Sequence, residues 1–183
     1  MRFATLSFSL VVIVLLNSTV AAQERFPTLN IERRGSVPNS LEQAIKESEL
    51  VVLIRVVGEQ DRTRGLWPGT GFRAQVLEVI KNAERSVGPE ISIHRDGGLV
   101  NSKGAKAYIE ERGFPLWRPG MTLVAFLFWN EDQNVFYLAN GPESSIEQAP
   151  NGKAKTFGRG RAAKDQDGKP FDEVLARIRS AVR

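Results

Sequence analysis

The chain has 183 residues, with 25 Lys and Arg, 21 Asp and Glu, a formal net charge of +4, one His and no Cys. A 42% apolar and 25% charged composition is ordinary for a globular protein, and the length suits one domain around a single core. Without Cys there is no disulfide, thiolate metal site, cysteine nucleophile or lipid-modified Cys, and one His cannot supply a multi-histidine metal centre.

Arg2 is the only charge before Glu24. An apolar run from Leu6 to Leu16 follows it, and Val20-Ala21-Ala22 supplies small residues for cleavage. This pattern predicts an export signal over 1–22, because the run is about half the ~20 residues of a membrane-spanning helix. The expected product is periplasmic or extracellular and has no membrane span after cleavage. Residues 23–38 lack a period and read as an N-terminal arm.

A barrel domain is expected over 39–157. Ser40 and Gln43 form the start signal of a short helix with Leu41, Ala44 and Ile45 on one face. Leu50 to Val57 is dense in β-branched residues, as in a strand buried on both faces. Gly65 to Gly71 reads as a loop. From Phe72 to Lys81 the apolar parity shifts between Val76 and Leu77, which predicts a β-bulge. Ile91 and Ile93 mark a third strand between Gly88-Pro89 and Gly97-Gly98.

The stretch 99–120 interrupts the strands, with a helical turn expected around Ala105 to Arg112. Met121 to Trp129 is the strongest strand, with Val135 to Leu138 as its hairpin partner. Short pieces near Ser145–Glu147 and Thr156–Phe157 are expected to close the sheet. Residues 158–169 read as a polar, solvated linker. An amphipathic helix over 170–183 opens at Pro170, with Phe171, Val174, Leu175, Ile178 and Val182 on one stripe, and is expected to close one end of the barrel. The fold class is therefore mainly β: a small five- to six-stranded Greek-key (OB-like) barrel with a short N-terminal helix and a C-terminal amphipathic helix.

The order of Leu50-Val51-Val52, Glu78-Val79-Ile80-Lys81-Asn82, Asp96-Gly97-Gly98, Phe114-Pro115-Leu116-Trp117-Arg118-Pro119-Gly120 and Leu123-Val124-Ala125-Phe126-Leu127 resembles a group of secreted bacterial domains of unknown function. These look like OB-type barrels related in shape to the netrin and tissue-inhibitor-of-metalloproteinase modules. The resemblance spans roughly residues 48–148. The inhibitors engage a metal through an N-terminal Cys, which this chain lacks, so the resemblance implies a fold and no mechanism.

Ser92, His94 and Asp96 share one strand parity and are the candidates for a small hydrolase. Neighbours on one face of a strand stand nearly 7 Å apart, whereas a triad converges from different elements. The simpler reading is a solvent-facing edge opposite Ile91 and Ile93. No metal cluster, phosphate loop or other cofactor signal is present: Asp165-Gln166-Asp167-Gly168 lacks the later ligands of a calcium loop, and Gly65–Gly71 lacks a following Lys-Ser/Thr. The basic residues Lys155, Arg159, Arg161 and Lys164 beside Phe157 do not add up to a specific nucleic-acid site, since Asp165 and Asp167 dilute them.

Trp67 and Trp117 lie in loops flanked by Pro and Gly. There a ring either stacks on a ligand or folds back as a plug over a barrel end. A binding surface is expected on these two loops, with Arg95, Arg118 and Lys103 at its rim. The leading expectation is an exported, non-enzymatic module that binds a protein or an envelope polymer. The alternatives are the Ser92/His94/Asp96 hydrolase and a passive structural domain of an envelope assembly.

Overall fold

A computed structural model describes residues 27–31, 37–62, 69–82, 84–102, 105–111 and 113–183. The expected export signal, Trp67 and Lys103 lie outside the described residues. The first elements are β1 (Thr28–Ile31), α1 (Leu41–Glu47), β2 (Leu50–Arg62), β3 (Gly69–Asn82), β4 (Glu90–Asp96), β5 (Gly98–Ser102) and β6 (Ala105–Glu111). They are followed by β7 (Thr122–Asn130), β8 (Val135–Leu138), a 3₁₀ turn (Gly141–Ser144), β9 (Ser145–Gln148), β10 (Ala154–Thr156), α2 (Arg161–Lys164) and α3 (Phe171–Val182). No helix of the described residues is long and apolar enough to cross a membrane.

Five strands close into a barrel. Strand β7 pairs antiparallel with β2, β2 with β3 and β3 with β4; β4 then runs parallel to β8, which returns antiparallel to β7. One parallel pair in an otherwise antiparallel ring is the Greek-key order of an OB-type barrel. One edge of β7 is shared: Leu123 to Ala125 face β9, and Leu127 to Asn130 face β8. Thus β9 and β10 extend the sheet, and closure is made by β4 and β8.

The alternation of β2 explains two cores. Leu50, Val52, Ile54 and Val56 point inward to meet Phe72, Ala74, Ile91, Ile93, Leu123, Ala125, Leu127, Phe136 and Leu138. Val51 points outward and packs with Val124, Phe126 and Ile146 beneath Leu41 and Ile45 of α1 and Phe171, Val174, Leu175 and Ile178 of α3. Helix α3 therefore covers the outer wall and does not close a barrel end, because the outward faces of β2 and β7 are themselves apolar. Each fully buried aliphatic residue contributes about 1.5–3 kcal/mol.

The helix start is built as its residues suggest. Ser40 Oγ accepts from Gln43 N at 3.1 Å, and Gln43 Oε1 accepts from Asn39 N at 2.9 Å. At the other end of α1, Lys81 Nζ donates to Ile45 O at 2.7 Å and Ser48 O at 2.5 Å. The expected bulge is present: the β2–β3 register steps from Leu53↔Glu78 to Ile54↔Val76, skipping Leu77. Leu77 and Val79 remain 40% and 42% exposed.

Four local expectations are corrected. The stretch Ala105–Glu111 is a strand, since β6 finds partners in both β5 and β1. Part of the supposed arm is thus a parallel sheet strand. Gly69 and Gly71 belong to β3 and are not loop residues; a Cβ on Gly69 would lie 2.1 Å from His94 Nε2. Residues 158–169 are not a free linker: they hold α2 and bury Gly160, Ala162, Ala163 and Gln166, while most of their charged residues stay exposed. Glu143 Oε1 fastens this segment by accepting from Arg159 N at 2.5 Å and Gly160 N at 2.9 Å. The small residues are required there, because a Cβ on Gly158 would lie 2.1 Å from Glu143 Oε2.

Candidate binding groove

In β4, the alternation that sends Ile91 and Ile93 into the barrel also sends Arg95 inward. Arg95 is 3% exposed and sits at the barrel end under the loop Gly113–Gly120. Its guanidinium donates to Pro115 O at 2.9 Å and Phe114 O at 3.1 Å. It stacks 3.6 Å from the Phe114 ring centroid and 5.1 Å from that of Trp117. Burial pushes its pKa down to about 9, against the opposing pull of Glu111, Tyr108, Glu110 and Asp96, so it stays charged at neutral pH. Arg95 is therefore a bolt under the loop and not a rim residue.

Trp117 is the plug. It is 3% exposed and packs against Phe72 at 5.3 Å between ring centroids, so no face of it is open for stacking. Phe114 joins it in the barrel core and meets Phe157 at 5.3 Å. Gly120 N donates to Val56 O and Val56 N to Met121 O, both at 2.8 Å, which ties the far end of the loop to β2. Of the five residues expected on the binding surface, the structure brings Arg95 and Trp117 together in the interior. It leaves Arg118 exposed, and Trp67 and Lys103 lie outside the described residues.

Arg118 opens onto a groove of about 720 Å³. One wall is Pro115, Leu116 and Arg118 to Thr122, and the other is Glu147 to Pro150 with Gly152 and Lys155. The second wall is the β9–β10 hairpin, turned by Ala149 N to Lys153 O at 2.8 Å and Gly152 N to Ala149 O at 2.9 Å. Apolar side chains of Leu116 and Met121 and three prolines alternate with charge. Among the described residues neither Arg118 nor Lys155 is in an ion pair; Lys155 Nζ lies 4.9 Å from the Phe157 ring centroid. The titratable lining residues are Arg118, Glu147 and Lys155, a set that offers charge for binding and no nucleophile backed by a base.

The hydrolase candidates do not converge. Ser92 Oγ donates to Gln60 Oε1 at 2.6 Å, not to His94. His94 is 4% exposed, its Nδ1 has no partner, and its ring packs on Tyr137 at 4.6 Å. The expected solvent face is covered there, because β8 lies beside β4 and places Tyr137 directly opposite His94. Burial lowers the His94 pKa, and the nearby Asp96 carboxylate opposes that shift. No group of three or more His, Asp or Glu suited to a metal occurs among the described residues.

Sequence reasoning reached one wall of the groove, through Arg118, and missed the hairpin wall. The signal available was Pro119 and Pro150, each flanking a strand end. No protein-family model matches the chain, and no curated protein matches it.

Proposed function

We propose that the protein is an exported, non-enzymatic binding module that holds a protein or an envelope polymer in the groove between the Gly113–Gly120 loop and the β9–β10 hairpin. Export rests on the pattern of residues 1–22, and the resemblance to secreted barrel domains agrees with it. The observation that supports the reading is an open groove of about 720 Å³ with two exposed cations, Arg118 and Lys155, that form no ion pair among the described residues. Its loop wall is held rigid from below by Arg95, Phe114 and Trp117, so little ordering is left for binding to impose.

The test is capture from an envelope extract by the exported protein, beside an Arg118→Glu/Lys155→Glu control with the same circular dichroism. A partner retained by the native protein and lost by the control is expected. A partner retained equally by both, or none retained by the native protein, overturns the reading.

A further inference from the structure

The groove exists because two strands part. The β7–β9 ladder ends at Leu123 opposite Glu147. Continued in the same register, it would set Gly120 against Pro150, which has no N–H to donate, and Pro119 follows on the other side. The result is a fork walled by 115–122 on one side and on the other by 147–152, which turns at Pro150 and Asn151. A cleft at the end of a sheet ladder is a place where a peptide segment can dock.

The lining favours a polypeptide over a sugar chain. Among the described residues no aromatic side chain lines the groove, and the ring next to Arg118 is the buried Trp117. Leu116, Met121 and the prolines present aliphatic surface for side chains spaced along a strand. Among the described residues Arg118 and Lys155 form no ion pair; Glu147, the single carboxylate of the lining, stands directly across the β9–β10 ladder from Lys155, so the lining keeps a net positive charge centred on Arg118 and the complementary occupant carries negative charge. The Arg118 guanidinium accommodates a carboxylate through paired N–H donors.

We infer that the fork is a docking site for an extended polypeptide segment with an acidic side chain. The carboxylate sits between Arg118 and Lys155, and apolar side chains rest on Leu116 and Met121. This rests on the groove being the binding surface.

The test passes three probes over immobilised full-length exported protein: short random peptides each with one fixed Glu, the same pool with Lys in its place, and polygalacturonate as an anion without peptide. Retained peptides are identified by mass spectrometry, and the best is titrated by fluorescence anisotropy. Glu peptides enriched over Lys peptides are expected, with affinity lost about tenfold or more in Arg118→Glu/Lys155→Glu. The neutral Arg118→Gln/Lys155→Gln variant, checked for folding, is expected to fall between. Peptides retained without regard to charge overturn the inference. Polygalacturonate bound through the two cations, with no peptide retained, overturns the peptide assignment and leaves the groove reading standing. An extract partner that ignores the charge-reversed variant overturns both.

Discussion

Replacing Arg95 by Met tests whether the barrel end is bolted by a buried cation. Met keeps much of the length and packs against Phe114, but it cannot donate to Phe114 O or Pro115 O. The buried Phe114 carbonyl left without its donor costs about 1–3 kcal/mol, the half-buried Pro115 carbonyl less, and the lost cation–π stacking adds up to about 2 kcal/mol. Relief of the guanidinium's own burial offsets part of this. The net expectation is a loss of about 3 kcal/mol, equivalent to a drop of about 6–12 °C in Tm for a domain of this size. Urea denaturation followed by circular dichroism measures the total. Hydrogen exchange localises it: the Phe114 and Gly120 amides, bonded to Glu111 O and Val56 O, should lose protection before those of β2. A loss below about 1 kcal/mol with unchanged protection at Phe114 and Gly120 refutes the bolt.

Other perturbations probe the remaining devices. Glu143→Ala strands the Arg159 and Gly160 amides, and should cost about 2–3 kcal/mol by chemical denaturation and deprotect α2 first. Lys81→Met removes the cation from the C-terminal carbonyls of α1 and should cost about 1–2 kcal/mol in the same assay. The folded-state pKa of His94 lies below its ordinary 6.5, so the unfolded chain takes up the proton first. Stability from this group is therefore full above about pH 6.5 and falls as the pH drops below it, and His94→Gln should flatten that slope in urea midpoints measured between about pH 7 and 5. Gly69→Ala forces a methyl into the His94 ring and the Arg95 carbonyl, and should cost about 1–3 kcal/mol in thermal denaturation.

Local signals were readable wherever neighbours in sequence decide the structure. Ser40 and Gln43 announced α1, the parity change at Leu77 announced the bulge, and the stripe from Phe171 to Val182 announced α3. Signals failed where a distant partner decides. Ala105 to Glu111 is a strand because β1 and β5 pair with it, and His94 is buried because β8 arrives beside it.

Arg95 shares the parity of Ile91 and Ile93, so its inward direction was visible. A buried Arg is rare without partners, however, and its partners, the carbonyls of Phe114 and Pro115, are supplied by a loop remote in sequence. The Gly and Ala residues of 158–169 resembled a solvated linker, yet they are small because Glu143 and Val37 approach them closely. The groove was hidden for the same reason: its first wall is seated by Arg95 and Trp117 turning inward, and its second arises from the divergence of β7 and β9.

Site-specific photocrosslinking in an envelope extract tests the groove most directly. A photoreactive side chain replaces Met121 within the groove or, in a second protein, the exposed Leu77 at the β3 bulge, which does not line the groove. A single partner crosslinked from position 121, absent from position 77 and abolished by Arg118→Glu/Lys155→Glu, is expected. A partner crosslinked from position 77, with none from position 121, would contradict the groove and move the binding surface to the β3 bulge.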